Sequence, residues 1–147
     1  MRVYLDACCF SRLTDDQSQP RVREEAEAIE HVLEKVRLGV LELISSEALK
    51  DEVRKIRSLE RRSKVETLLS MSSMTVEVDS VVSQRGWELG KKGYGFHDAL
   101  HIATAEAASA DVLLSTDDRL IKRAARGLGN PGIPVRNPVS WKKEQGT

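Results

Sequence analysis

Three acidic side chains occur at places in the sequence where they could act together on a metal ion. Asp6 comes directly after the apolar run 3–5, and Asp117 follows closely on the apolar run 112–114. Glu52 falls within two turns of the start of a predicted helix. Carboxylates gathered at one place repel each other, and a fold usually tolerates this because oxygen ligands hold a hard divalent cation. These residue types therefore favour a site for Mg²⁺ or Mn²⁺.

The elements that carry these acids alternate between strands and helices. Short apolar runs predict strands at 3–5, 40–44, 74–78, 112–114 and near 135. Helices are predicted from Pro20 to near Gly39, from 47 to about 56, over 59–71, from about 80 to 89, over 96–108 and over 117–128.

Strands that are short and continuously apolar, and that helices separate, indicate a parallel sheet covered on both faces. We therefore predict an α/β fold, a three-layer α/β/α sandwich with a central, mostly parallel sheet of four or five short strands. The length of 147 residues suits a single domain over residues 1–147. In open sheets of this kind, functional residues collect at the carboxyl ends of the strands, which is where Asp6 and Asp117 fall.

The composition narrows the class of protein. No apolar run approaches the roughly 18 residues that span a bilayer, and the apolar run at Val3 leaves no room for a signal peptide, so we expect a cytoplasmic protein with no membrane segment. The 23 basic and 23 acidic residues cancel, so any polyanion must be met by local patches or through metal ions. Cys8 and Cys9 are adjacent, which makes them poor disulfide partners, and we expect two reduced thiols.

A fourth acid lies in a more specific pattern. Asp98 begins Asp-Ala-Leu-His-Ile-Ala-Thr-Ala, and Asp111 begins Asp-Val-Leu-Leu-Ser-Thr-Asp-Asp-Arg-Leu. An aspartate that opens an alanine-rich helix, followed by a strand that ends in Ser/Thr-x-Asp, resembles the third and fourth acids of the PIN domain family. Many members of this family of metal-dependent ribonucleases are toxins of VapC-type toxin-antitoxin pairs. The resemblance runs from Arg2 to about Arg123.

The resemblance implies a function and a set of site residues. It implies hydrolysis of phosphodiester bonds in single-stranded RNA, with one or two Mg²⁺ or Mn²⁺ ions bound by Asp6, Asp98 and Asp117 and with Glu52 nearby. Ser115 would orient Asp117 or cap its helix. The products would carry a 5′ phosphate and a 3′ hydroxyl. The resemblance also implies an RNA substrate, an antitoxin protein and a homodimer as partners.

Two positions in this pattern leave alternatives open. The family's second acid matches Glu52 followed by Val53, but Glu47 and Asp51 are nearby competitors. The family commonly shows Asp-x-Asn after its first strand, whereas the third position here is Cys8. A thiol is a weaker hydrogen-bonding group than an amide, so we expect Cys8 to reproduce the asparagine contact only in part.

Several of these residues also have simpler structural interpretations. Taken singly, Asp98 and Asp117 suit the start of a helix, where a carboxylate caps free backbone N–H groups. His101 suits a packed or hydrogen-bonded histidine, and His97 a residue at a helix start. The basic residues of segment 50–64 suit a solvated helix face.

Two other functions compete with the nuclease hypothesis. A catalytically decayed PIN-like module that binds RNA or a partner protein would keep the same fold, and Cys8 favours it. A phosphoacceptor receiver domain also gathers acids at strand ends, but it needs an acidic pair after the first strand. Here Asp6 is followed by Ala7 and Cys8, which counts against a receiver domain.

Overall fold

A computed structural model describes residues 1–146. Its five strands form one fully parallel sheet in the order β3-β2-β1-β4-β5. The strands are β1 Arg2–Leu5, β2 Glu42–Ser46, β3 Met74–Val76, β4 Val112–Leu114 and β5 Val135–Arg136. The helices are α1 Ala7–Arg12, α2 Pro20–Arg37, α3 Glu47–Arg54, α4 Leu59–Leu69, α5 Ser80–Lys91, α6 Phe96–Ala107, α7 Asp118–Ala125 and α8 Pro138–Glu144.

The order of the strands creates a crevice in the middle of the sheet. From the central β1, the chain adds β2 and β3 on one side, and it then returns to add β4 and β5 on the other. In the register, Val3 of β1 lies opposite Leu43 of β2 and Val112 of β4. The connections therefore leave β1 and β4 in opposite directions, which is the arrangement that opens a binding crevice at the carboxyl ends of two neighbouring strands.

Alternate residues of each strand face opposite layers of helices. Val3 and Leu5 pack with α1, α2, α3, α4 and α8 on one face of the sheet, whereas Tyr4 packs with α5, α6 and α7 on the other. This period of two follows from the pleat of the strand. The predicted three-layer α/β/α sandwich with a parallel sheet is confirmed. Among the helices of residues 1–146, none combines the length and the apolar character needed to cross a membrane.

The second and third strands each differ by two residues from their predicted boundaries. The second strand begins at Glu42 because the N–H groups of Val40 and Leu41 bond to the carbonyl of Lys35 and so complete the end of α2. The last turn of that helix ends at Gly39, which has a positive φ of 77° that glycine adopts without strain. Strand β3 ends at Val76, shorter than the predicted 74–78.

Helix α8 had no counterpart in the predicted elements. Asn137 caps it by accepting from the N–H of Val139 at 2.8 Å, and Pro138 occupies its first turn. The Asn137 amide also donates to Glu25 of α2 at 2.6 Å. Glu25 is buried, and it accepts from Arg12 of α1 at 2.8 Å as well. This carboxylate therefore joins α1 and α2 to the start of α8.

Trp141 is the apolar anchor of α8 and should contribute strongly to stability. It is buried in the same core cluster as α2, so Trp141→Ala leaves a cavity and removes apolar burial. We expect the free energy of unfolding to fall by about 3 kcal/mol, as measured by chemical denaturation. Trp87→Ala is the control, because Trp87 is exposed and should change that free energy by less than about 0.5 kcal/mol. Equal losses in both variants would contradict this role for α8.

Candidate metal centre

Asp6 lies buried at the point where β1 ends and α1 begins. Its own N–H donates to the carbonyl of Leu114, so the ends of β1 and β4 are joined directly at this residue. Its carboxylate accepts from the N–H of Cys9 at 3.2 Å and from the thiol of Cys8 at 2.6 Å, and it caps α1. Burial raises the pKa of Asp6 well above its ordinary value, and the neighbouring Cys8 raises it further.

Cys8 connects the two strand ends. Its sulfur accepts from the N–H of Thr116 at 3.3 Å and lies 3.6 Å from Ser115 Oγ, while its thiol contacts Asp6. The residue at the usual asparagine position thus bridges the loop after β1 and the loop after β4. Sulfur contacts are weaker than those of an amide, but the side chain occupies the bridging place.

Asp117 is fixed by the loop after β4. Ser115 Oγ accepts from the N–H of Asp117 at 3.0 Å, which holds the backbone that carries this carboxylate. Asp117 Oδ1 in turn accepts from the N–H of Arg119 at 2.9 Å and caps α7. Asp117 is therefore both a helix cap and a half-buried carboxylate at the end of the strand beside β1.

Asp98 lies in the first turn of α6, half-buried. Burial raises its pKa, and the negative charge of Asp117 is the next largest cause, followed later by contributions from Cys8 and Glu52. The negative charge of Asp117 therefore disfavours the ionised form of Asp98. Small residues such as Ala99 and Ala103 form the buried face of α6, which allows the helix to pack closely on the sheet.

Glu52 is the one of the three competing acids on α3 that contacts α6. Its Oε1 lies 2.5 Å from His101 Nε2 and 3.5 Å from His97 Nδ1. Glu47 instead accepts from the N–H of Val78, and Asp51 forms an exposed ion pair with Arg54.

Partial burial of Glu52 alone would raise its pKa. The hydrogen bond from His101, together with the electrostatic effects of His101, His97 and Lys55, outweighs this burial, and the pKa of Glu52 is lowered. Glu52 is thus held in the form that a metal or a cationic group would bind.

A buried chain of hydrogen bonds supports Glu52 from the core. The Tyr4 hydroxyl lies 2.6 Å from His101 Nδ1 and 2.7 Å from Ser46 Oγ, and Ser46 accepts from the N–H of Leu49 as the cap of α3. With Ser46 donating to Tyr4, Tyr4 to His101 Nδ1, and His101 Nε2 to Glu52, every group in the chain is satisfied. His101 is thus a hydrogen-bonded core histidine, and the sequence did not reveal Tyr4 and Ser46 as its partners.

The possible ligand atoms of the site can be compared with those that the predicted metal ions prefer. Within residues 1–146, the one group of three or more possible ligands that lie within 4.8 Å of one another is Asp6, Cys8 and Cys9. The Cys9 thiol is buried and donates to the carbonyl of Leu114, so it serves the fold. Mg²⁺ and Mn²⁺ prefer oxygen ligands. The fit to these ions therefore depends on Asp6 together with Asp98 and Asp117, and these ligand assignments stay predictions.

The Tyr4 hydroxyl is expected to stabilise the fold because it satisfies two buried partners. Tyr4→Phe leaves His101 Nδ1 and Ser46 Oγ without this hydrogen bond and should lower the free energy of unfolding by about 1–3 kcal/mol. Ser45→Ala is a matched control on the same strand as Ser46, because Ser45 Oγ is buried and makes no hydrogen bond within the described residues. A denaturation midpoint that falls equally in both variants would show that the hydrogen bonds of the Tyr4 hydroxyl make no specific contribution to stability.

Repulsion at Asp98 predicts a pH-dependent stability in metal-free protein. The folded state raises the pKa of Asp98, so ionising it costs stability at neutral pH, and this cost disappears as the pH falls below the ordinary carboxyl pKa of about 4. Asp98→Asn should therefore stabilise the protein at pH 7 by on the order of 1 kcal/mol or less, with no gain near pH 3. Melting curves in a chelator at several pH values measure this, and a gain independent of pH would contradict the repulsion.

Comparison with known proteins identifies structures that share this fold and a family that matches this sequence. The crystal structure of VapBC2 from Rickettsia felis bound to a DNA fragment from their promoter has a chain that aligns with a TM-score of 0.63 at 18% identity, over 93% of this chain and 98% of that one. VapC20 from Mycobacterium tuberculosis, a sarcin-ricin loop cleaving toxin, aligns with a TM-score of 0.58 at 14% identity, over 87% and 97% of the two chains. At these identities the likeness shows a shared fold. No curated protein matches the sequence. The family model of the PIN domain matches residues 3–127, and this chain therefore belongs to the PIN domain family.

Proposed function

We propose that this chain is a metal-dependent endoribonuclease that hydrolyses phosphodiester bonds of single-stranded RNA in the cytoplasm. The observation that carries the proposal is the crevice between β1 and β4. There, Asp6 directly follows β1, Asp117 lies in the loop after the adjacent β4, and the charge of Asp117 raises the pKa of Asp98 on α6. The chain is a PIN domain. Such a crevice is where open parallel sheets bind their ligands.

Each acid has a distinct task in the proposed reaction. Asp6, Asp98 and Asp117 would hold Mg²⁺ or Mn²⁺, and a bound ion supplies an activated water and stabilises charge on the attacked phosphate. Asp6 is fixed by the end of β1, and Ser115 holds the backbone of Asp117, so both residues are anchored at the carboxyl ends of adjacent strands. Water adds to phosphorus and the bond to the 3′ oxygen breaks, which leaves a 5′ phosphate and a 3′ hydroxyl.

Glu52 would act beside these ligands under the control of His101. The hydrogen bond from His101 favours the ionised form of Glu52 and orients it toward α6. An ionised carboxylate in this place can accept a proton from water or add to the metal's coordination. Glu52 therefore belongs to the proposed catalytic set with Asp6, Asp98 and Asp117.

We also propose that the protein is the toxin of a toxin-antitoxin pair. Among the structures with the same fold, one is VapBC2 and another is a toxin that cleaves the sarcin-ricin loop. By analogy, an RNA would be the substrate, an antitoxin protein would inhibit the enzyme, and two copies of the chain would form a homodimer. The proposed antitoxin and homodimer rest on analogy with proteins of the same fold. The proposed RNA substrate is also supported by the acidic side chains of the site.

Loss of one ligand should abolish cleavage while a neighbouring acid tolerates change. Asp98→Asn should reduce cleavage of single-stranded RNA by on the order of 100-fold or more in Mg²⁺ or Mn²⁺, because loss of a ligand exceeds the effect of disturbing its supporting contacts. Asp118→Asn is the control, since Asp118 is exposed and pairs with Arg21. A chelator should abolish wild-type cleavage. If wild type cleaves with neither ion, the decayed binding module replaces the nuclease proposal.

The choice of the second acid is tested by a matched pair on α3. Glu52→Gln should lower the cleavage rate by about 10–100-fold, because it removes the charge that His101 supports. Glu47→Gln keeps an oxygen that can accept from Val78 and should leave the rate within about twofold. The reverse order of effects would assign the role to Glu47.

A further inference from the structure

Two aromatic side chains are exposed on one face of the molecule. Trp87 is 60% exposed and Phe96 74% exposed, which is costly for residues of this size. Both line one groove of about 510 Å³ between α5 and α6. The other four aromatic residues of the chain are buried, and they are Tyr4, Phe10, Tyr94 and Trp141. The exposed aromatic surface of the described residues is therefore concentrated at one place.

Residues of this groove flank Asp98 of the candidate metal centre along α6. The Phe96 ring lies edge-on to His97, with 5.3 Å between ring centroids, and His97 Nδ1 is 3.5 Å from Glu52 Oε1. Asp98 follows two residues after Phe96 on the same helix, and Ala99 lines the groove. Phe96 and Ala99 thus place one end of the groove at the same turn of α6 that carries Asp98.

The chemistry of the groove suits a base with a phosphate beside it. Lys91 Nζ lies 3.8 Å from the centre of the Trp87 ring, and Lys92 next to it is exposed. Among the residues of 1–146 that line the groove, none is acidic. Exposed aromatic rings with a cation against one of them are a combination that binds single-stranded nucleic acids, since bases stack on ring faces and phosphates meet the cations. The volume lies within the range of small-ligand pockets, about 300–1,000 Å³.

We propose that the groove between α5 and α6 binds an unpaired nucleobase of the RNA substrate, stacked on Trp87 and Phe96, next to the phosphodiester at the carboxylates. Lys91 and Lys92 would contact the phosphate that follows this base. The inference rests on the proposed function for the identity of its substrate. It adds that recognition depends on aromatic stacking, and it can be tested in the absence of a metal and of cleavage.

The first experiment uses Trp87 as the reporter. A Trp141→Phe background leaves Trp87 as the sole tryptophan, and a chelator prevents cleavage. Single-stranded oligoribonucleotides of about eight residues, a length that such grooves accommodate, should quench its fluorescence as they bind. An abasic oligomer of the same length and charge should bind about 10-fold more weakly and leave the fluorescence unchanged. Equal binding and quenching by the abasic oligomer would overturn the proposal.

The second experiment separates stacking from apolar contact. With a labelled oligoribonucleotide and otherwise wild-type protein, Trp87→Leu should weaken binding on the order of 10-fold, whereas Trp87→Tyr should keep it within about threefold. Phe96→Leu should behave like Trp87→Leu. Leu59→Ala is the control, because Leu59 is similarly exposed on α4 and distant from the groove in the layer on the opposite face of the sheet. Unchanged affinity in both leucine variants would overturn the proposal.

Two further outcomes distinguish this inference from the proposed function. If the wild type quenches with RNA but never cleaves it, the nuclease proposal fails and the base site stands. If the wild type cleaves RNA and Trp87→Leu binds it normally, the base site fails and the nuclease stands. Sedimentation of the same variants tests whether a second copy of the chain occupies the groove instead. A dimer that is lost in Trp87→Leu, with unchanged RNA affinity, would assign the groove to that second copy.

Discussion

The pairing of β1 with β4 is the interaction on which the candidate site depends. These strands are distant in sequence, and their register sets Leu5 beside Leu114, so that the loops carrying Asp6 and Asp117 begin side by side. The hydrogen bond from Asp6 N–H to Leu114 extends the ladder by one step and places a carboxylate where the sheet ends. A slip of one residue would turn Asp6 toward the opposite layer, because successive side chains of a strand face opposite sides. The geometry of the acids is therefore a consequence of sheet register.

The two helical layers support this edge in different ways. On the face of α1, α2 and α8, the buried Glu25 joins three elements through Arg12 and Asn137. On the face of α6, a polar chain from Ser46 through Tyr4 and His101 crosses the core and ends on Glu52. Buried polar groups cost stability unless each one is satisfied. The polar chain satisfies its members only when α3, α6 and β1 are all in place, which couples the position of Glu52 to the integrity of the core.

Much of this could be predicted from the sequence, and the remainder depends on contacts between distant segments. Periodicity predicted the layers and the parallel sheet, because apolar runs and helical spacing are local signals. Asp6 and Asp117 could be placed at one edge because they follow strands, and Asp98 through its motif. Sequence could not show that His101 supports Glu52 through Nε2, because that bond joins residues 49 apart. It also missed α8, whose seven residues give too short a pattern, and whose anchor Trp141 becomes informative only once it packs on α2.

The division of α6 into faces explains how one helix can serve the fold, the candidate site and the proposed base-binding groove together. Ile102 and Ala103 face the sheet, His101 points to the buried chain, and Asp98 in the first turn is coupled to Asp117. Phe96, at the very start of the helix, remains exposed in the groove beside α5. Because a helix repeats every 3.6 residues, Asp98 and His101 lie nearly above one another on the surface of α6. The aspartate and the histidine that bonds to Glu52 therefore face the same side of the helix. The apolar residues that fix this helix to the sheet thereby fix the distance between the acids and the aromatic groove, and a movement of α6 would change both at once.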